Sequence, residues 1–155
     1  METIKVIVYQ DDVYEEVAKA TDYTGAKLLG EDKGARDRIL AADDDLWDLG
    51  RFWEEAVTAV NENLKEMLVS GRTVTTLAGR PFYEGEVEVS MAFDKALAPS
   101  VEKALRSFFI ASIIGEWFKF ANKGEAQGYF SVAAEFMEAA ERLLYSRRKP
   151  RVPED

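Results

Sequence analysis

The apolar positions of the chain follow two periods, interrupted by one nearly continuous apolar run. Residues 3–9, TIKVIVY, alternate, with Ile4, Val6 and Val8 on one side. Alternation of this kind predicts a strand with one apolar face. A helix follows, capped by Asp11 or Asp12. Glu15 and Glu16 lie in its first turn, where the helix dipole favours acids. Tyr14, Val17 and Ala18 begin its buried stripe. The pattern runs to Thr21, restarts near Thr24 and reaches Leu28 or Leu29, where Gly30 stops it. Residues 31–42, EDKGARDRILAA, are charged around one apolar pair, Ile39–Leu40, and predict a loop with at most a helical turn.

A second helical period opens after Asp43-Asp44-Asp45. Leu46, Leu49, Trp53, Ala56/Val57, Val60, Leu64 and Met67/Leu68 keep one face apolar. Glu54, Glu55, Glu62 and Glu66 fall mostly off it. The acids at its start suit free N–H groups and the dipole, and Gly71 is expected to cap its end. Residues 72–78, RTVTTLA, are β-branched and read as a strand, with the turn at Gly79-Arg80-Pro81. Residues 84–93, EGEVEVSMAF, alternate again: Val87, Val89, Met91 and Phe93 face in, while Glu86, Glu88 and Ser90 face out. A two-stranded hairpin is marginal alone, so the N-terminal strand is a natural third member. The result is a small antiparallel sheet with one wet face.

Phe108 to Phe118, FFIASIIGEWF, breaks from both periods. Nine of its eleven residues are apolar, glycine included, and Glu116 is its one charge. A helix apolar around most of its girth is a buried central helix. A membrane span needs about 20 mostly apolar residues, and Lys103, Arg106, Glu116 and Lys119 bracket this stretch too closely. Pro99 suits the first position of the central helix, which ends near Asn122. Lys123-Gly124 makes a short turn, and a last helix runs from about Glu125 to Ser146 on Tyr129/Phe130, Ala133, Phe136/Met137, Ala140 and Leu143/Leu144. So short a link makes the last two helices an antiparallel hairpin. Arg147, Arg148 and Lys149 suit a helix C-terminus, Pro150 ends the helix and Pro153 keeps the tail extended. The fold class is α+β: about four helices with a C-terminal helical hairpin, and a small antiparallel sheet. The domain reading is one globular unit over 1–149, with an extended C-terminal tail over 150–155.

Composition removes several kinds of chemistry. The 155 residues contain no cysteine and no histidine. Disulfides, thiolate metal sites and cysteine nucleophiles are therefore excluded. Imidazole acid–base catalysis, the usual Ser/His/Asp triad, most zinc sites and the Glu-x-x-His di-metal bundles go with the histidine. The N-terminus lacks a basic region and a long apolar run, so no signal peptide is expected. The net charge of −9 is lopsided: residues 1–70 hold 17 acids against 8 bases, and residues 71–155 hold 12 of each. Phosphates are repelled by such a first half, which disfavours nucleic-acid binding there. The acidity is either a solvated surface or a face that meets a basic partner.

The remaining candidates each have a structural reading beside a functional one. Asp43, Asp44, Asp45 and Asp48 are a possible Mg²⁺ or Ca²⁺ ligand cluster, but EF-hand spacing is absent and helix capping accounts for the run. Glu116 is either a buried carboxyl poised for acid–base work or a helix-edge group paired with a base. Trp47, Trp53, Trp117, Phe108, Phe109, Phe118 and Phe120 could line a ligand pocket, though aromatics at helical spacing are ordinarily core. No phosphate-cradling glycine motif is present among Gly25, Gly30, Gly34, Gly50 and Gly71. The basic RRKPR near the C-terminus is either a solvated helix end or a segment that orders on a partner. No catalytic, cofactor-binding or metal residue is assigned, and no cofactor is expected.

The order of elements resembles a known kind of protein. An early helix, VYEEVAKATDYTGAKL, precedes a long acidic-capped helix, DDLWDLGRFWEEAVTAVNENLKEML. The β-pair with EVEVSMAF comes next, then the hairpin SFFIASIIGEWFKFANKGEAQGYFSVAAEFMEAAERLLYSRRKP. The chain resembles small phage and prophage proteins of gut Bacteroides-type bacteria and, more loosely, the head–tail connector (neck or head-completion) proteins of tailed phages. The likeness covers most of the chain in element order and texture, and its strands depart from the simplest all-helical connectors. It implies a non-enzymatic virion structural protein that self-associates into a ring and binds portal or tail proteins, first in the host cytoplasm and then in the virion. No functional residue carries over. The alternatives are a tail-completion or other accessory assembly protein, and a small carboxylate- or metal-dependent enzyme using Asp43 to Asp48 or Glu116.

Overall fold

The computed structural model describes residues 1–28 and 46–148. Strand β1 spans Glu2–Tyr9 and helix α1 Gln10–Leu28. Helix α2 spans Leu46–Asn63, strand β2 Leu68–Thr75 and strand β3 Pro81–Val89. A 3₁₀ turn, Lys95–Leu97, leads into α3, Ala98–Ala121, and α4 follows as Lys123–Leu144. The expected α+β class, with its helical hairpin and small sheet, is what forms. Expectations on Leu29, Gly30, the 31–42 loop, Asp43 to Asp45 and Lys149 onward lie outside the described residues.

The three strands are antiparallel in the order β1-β3-β2, so the N-terminal strand is the third member. Ile4 pairs with Val87 and Val8 with Tyr83 across one seam, and Arg72 with Glu84 across the other. Val6, Val8, Tyr83, Val87 and Val89 are buried on one face. Lys5, Arg72 and Glu84 occupy the other, the wet face that alternation requires. β1 is an edge strand, and Glu102 of α3 covers part of it: its Oε1 accepts the Ile7 N–H at 3.1 Å. Blocking an edge N–H in this way denies it to another chain.

α3 is the hub that its apolar run predicts. It packs on α1, α2, α4 and β1, and Leu105, Phe109, Ile113 and Phe118 are fully enclosed. Phe109 sits between α2 and the sheet, with its ring centroid 4.5 Å from Trp53 and 5.5 Å from Tyr83. Asn122 alone joins the hairpin: its N–H donates to the Phe118 carbonyl at 2.6 Å, and its side chain accepts from the Glu125 N–H at 3.3 Å. One residue thus closes α3 and caps α4, so the link is shorter than the expected Lys123-Gly124 turn. Pro99 lies in the first turn of α3.

Expectations on α1, on the end of α2 and on Met91 are corrected. α1 runs without a break between Thr21 and Thr24 and begins at Gln10, which places Asp11 and Asp12 in its first turn. α2 stops at Asn63, two turns before Gly71, and Gly71 is inside β2. The stripe misleads here because Leu64 and Met67 are buried in a tight turn, closed by the Met67 N–H donating to the Leu64 carbonyl. Gly71 serves packing instead of capping: a Cβ there would run into Asn61 Oδ1 and the Tyr83 hydroxyl. Met91 does not face in. β3 ends at Val89, a turn closes with the Phe93 N–H on the Ser90 carbonyl, and Met91 is 62% exposed while Phe93 is buried.

Candidate functional site

A concavity with a consistent chemistry lies where α2, α3 and α4 meet. It is a groove of about 560 Å³. α2 contributes Glu55, Ala59 and Asn63, which recur at helical spacing along one edge. α3 contributes Phe108, Ser112 and Glu116, again one turn apart. α4 supplies Phe130, Ala133, Ala134, Met137, Glu138 and Glu141. Small residues on α4 let the helices approach while leaving the channel open. Phe130 lies over Gly115 of α3, where a Cβ would stand only 2.7 Å from the ring.

The floor is apolar and the walls are acidic. Phe108, Ala133 and Met137 are buried, while Glu55, Glu116, Glu138 and Glu141 stand around them. Among the described residues, no lysine or arginine lines the groove. Glu116 is half-buried, with a side chain only 21% exposed and Lys119 Nζ 3.8 Å from its Oε2. Burial pushes its carboxyl above the usual glutamate range, and the Glu55 carboxylate pushes the same way. The Lys119 and Arg51 cations oppose that rise. Four like charges around apolar surface make a site short of positive charge, suited to a cationic side chain carried on an apolar backbone.

The sequence candidates separate clearly. Glu116 does line a cleft. Asp43 to Asp45 lie outside the described residues, and Asp48 sits in the first turn of α2 with Arg51 Nη2 at 3.9 Å. Among the described residues, no three acidic side chains come together as metal ligands. Trp53, Phe108, Phe109 and Phe118 are core, and Trp117 packs against it. Trp47 is 77% exposed, with the Arg51 guanidinium 5.7 Å from its ring centroid. The Phe120 side chain is outside the described set. Arg147 and Arg148 are exposed. Among the described residues, no helix is long and apolar enough to cross a membrane.

Sequence reading missed Glu55, Glu138 and Glu141 as partners of Glu116. The one available signal was local: Glu138 and Glu141 flank Met137 and Ala140 on the last stripe. Their meeting with Glu55 needs the α2–α4 placement, which no periodicity encodes. A second hollow of about 360 Å³ runs beside the β1 edge, but its charged lining is mixed, with Asp12 and Glu102 against Lys103 and Arg106. No protein-family model matches the chain, and neither a curated protein nor a solved structure matches it.

Proposed function

We propose that the protein is a non-enzymatic assembly subunit whose working surface is the groove between α2, α3 and α4. A basic, partly apolar segment of a neighbouring polypeptide lays its apolar side chains on Phe108, Ala133 and Met137 and its cations against the four glutamates. The observation that carries this reading is the lining itself: among the described residues, an apolar floor, four carboxylates and no base. Complementary charge of that kind steers encounter and sets partner choice more than it sets raw affinity. An assembly built from many such contacts needs only modest strength in each.

The narrower form is a head–tail connector subunit of a tailed phage, supported by the resemblance in element order. In that form the neighbours are further copies of the chain and portal or tail proteins, met in the host cytoplasm and retained in the virion. Negative-stain microscopy of the purified protein, alone and mixed with a purified portal, tests it. Rings of constant subunit number, or density added to the portal, are expected. Dispersed particles and a bare portal would remove the connector form. If charge reversal of Glu138 and Glu141 left all partner binding unchanged, the groove would not be the working surface.

A further inference from the structure

The same groove has a fitting occupant within the chain's own sequence. We infer that it receives the basic C-terminal segment, Arg147 to Pro153, of a second copy, in a head-to-tail contact. This rests on the assembly reading and names the partner that reading leaves open.

Complementarity is the first ground. Arg147, Arg148, Lys149 and Arg151 put four bases into five residues, the densest positive run in the chain. Among the described residues, the groove offers four glutamates and no base. Pro150, Val152 and Pro153 supply apolar side chains between and after the cations, matching the floor of Phe108, Ala133 and Met137.

Availability is the second ground. Arg147 and Arg148 are exposed, and neither guanidinium is paired with a carboxylate among the described residues. The Arg148 N–H donates to the Ala92 carbonyl at 2.7 Å, which ties the chain to the connection after β3 as it leaves α4. The two arginines are exposed beyond the end of α4 and make no ion pair with Glu138 or Glu141 of the same copy. From Lys149 to Pro153 the segment reaches about 17 Å past Arg148 at 3.3–3.6 Å each.

Such a contact is heterologous: groove and tail are different surfaces, so each copy has one of each to offer. Contacts of this type propagate into a ring when the rotation closes and into a filament when it does not. A seven-residue tail buries less than a standard interface, so isolated pairs are weak and closure multiplies them.

Sedimentation velocity on the full chain over a concentration series, at low and raised salt, tests the inference. Self-association that weakens with salt is expected. The tail-reversed variant R147E/R148E/K149E and the groove-reversed variant E138K/E141K should each associate at least about tenfold more weakly, the effect of losing roughly 1.4 kcal/mol. Mixed together, the two variants should associate again, because each supplies the charge the other's surface then needs. Circular dichroism confirms that both variants fold. A full chain that stays monomeric, or a mixture that stays dissociated while the unmodified chain associates, overturns the inference. A labelled amphipathic lysine–leucine peptide separates the two levels. If it binds the unmodified chain and not E138K/E141K while the chain remains monomeric, the groove reading stands and the second-copy occupant falls. If it fails to bind as well, both fall.

Discussion

The Tyr83 hydroxyl donates a hydrogen bond of 2.9 Å to Asn61 Oδ1, and Asn61 Nδ2 in turn donates to the Gly71 carbonyl at 3.0 Å. One amide thus ties the central strand and an edge strand to α2. Burial raises the Tyr83 ionisation to about 12, so the hydroxyl remains a donor throughout the neutral range. Tyr83→Phe keeps the buried ring and leaves the Asn61 oxygen without its donor. A loss of about 1–2 kcal/mol is expected. The urea midpoint should fall with the slope unchanged.

Gly71→Ala should cost at least as much, by a different route. The new methyl group would meet both Asn61 Oδ1 and the Tyr83 hydroxyl, the two atoms already bonded to each other. Overpacking of this kind costs about 1–3 kcal/mol. Combined with Tyr83→Phe, which removes one of the obstructing atoms, the effect should be less than the sum of the single changes, since residues sharing a site are not independent. A double-mutant cycle in urea reads the difference directly.

Gly71 also marks where sequence reasoning stops. After Asn63 the apolar spacing continues in helical register through Leu64, Met67 and Leu68, and a glycine stands where a cap is wanted. The strand forms because Leu68 to Thr75 pairs with β3, a partner six or more residues further along the chain. Val69, Thr73, Val74 and Thr75 are β-branched and favour that outcome, but only pairing decides it. Met91 fails for a related reason: alternation persists in the letters for two residues after the strand has turned. The buried α3 and the strands around Val6 and Val87 were legible because their patterns are long and one-sided. Of the groove, Glu116 was legible as a charge interrupting an apolar run, and Phe108 as one of the aromatics that could line a pocket. Glu55 and Glu141 read as ordinary solvent-facing acids until three helices bring them to one channel.

Glu102 protects the β1 edge, and its removal should be visible at one amide. Its carboxylate accepts the Ile7 N–H, which points away from β3. Glu102→Ala frees that donor, and hydrogen exchange at Ile7 should rise well above that at Val6 and Val8. If Ile7 exchange is unchanged, the contact does not persist in solution. Greater aggregation on storage is the expected companion effect, because a free edge N–H is a template for pairing.

Arg80 holds Asp11 in a fork: Nε is 2.7 Å from Oδ2 and Nη2 is 2.9 Å from Oδ1. The guanidinium also lies 3.6 Å from the Tyr9 ring centroid. Its hydrogen bonds hold the Asp11 carboxyl below the usual aspartate range. A depressed carboxyl contributes stability above the unfolded aspartate value, and that contribution is lost as pH falls through the folded value. Carbon-detected NMR titration should find Asp11 low in the unmodified protein and back in the ordinary range in Arg80→Ala. Arg80→Lys retains a charge but not the fork, so it should restore only part of the depression.

Glu116 has the opposite sign. Burial, reinforced by Glu55, raises its folded pKa, so the native state binds its proton more tightly than the unfolded chain does. Where the native state holds more protons, stability falls as pH rises. The penalty is absent below the unfolded glutamate value, grows as pH climbs from there through the raised folded value, and is complete above it. Glu116→Gln keeps the shape and deletes the ionisation. Urea midpoints for the two proteins should nearly coincide at about pH 4, where an unfolded glutamate is largely protonated. By neutral pH the Gln variant should be the more stable. The variant also separates stability from recognition. If the groove receives a basic segment, Glu116→Gln weakens that binding at neutral pH in the same protein whose fold it strengthens. A variant that became more stable with partner binding unaltered would show that the charge at Glu116 has no part in recognition.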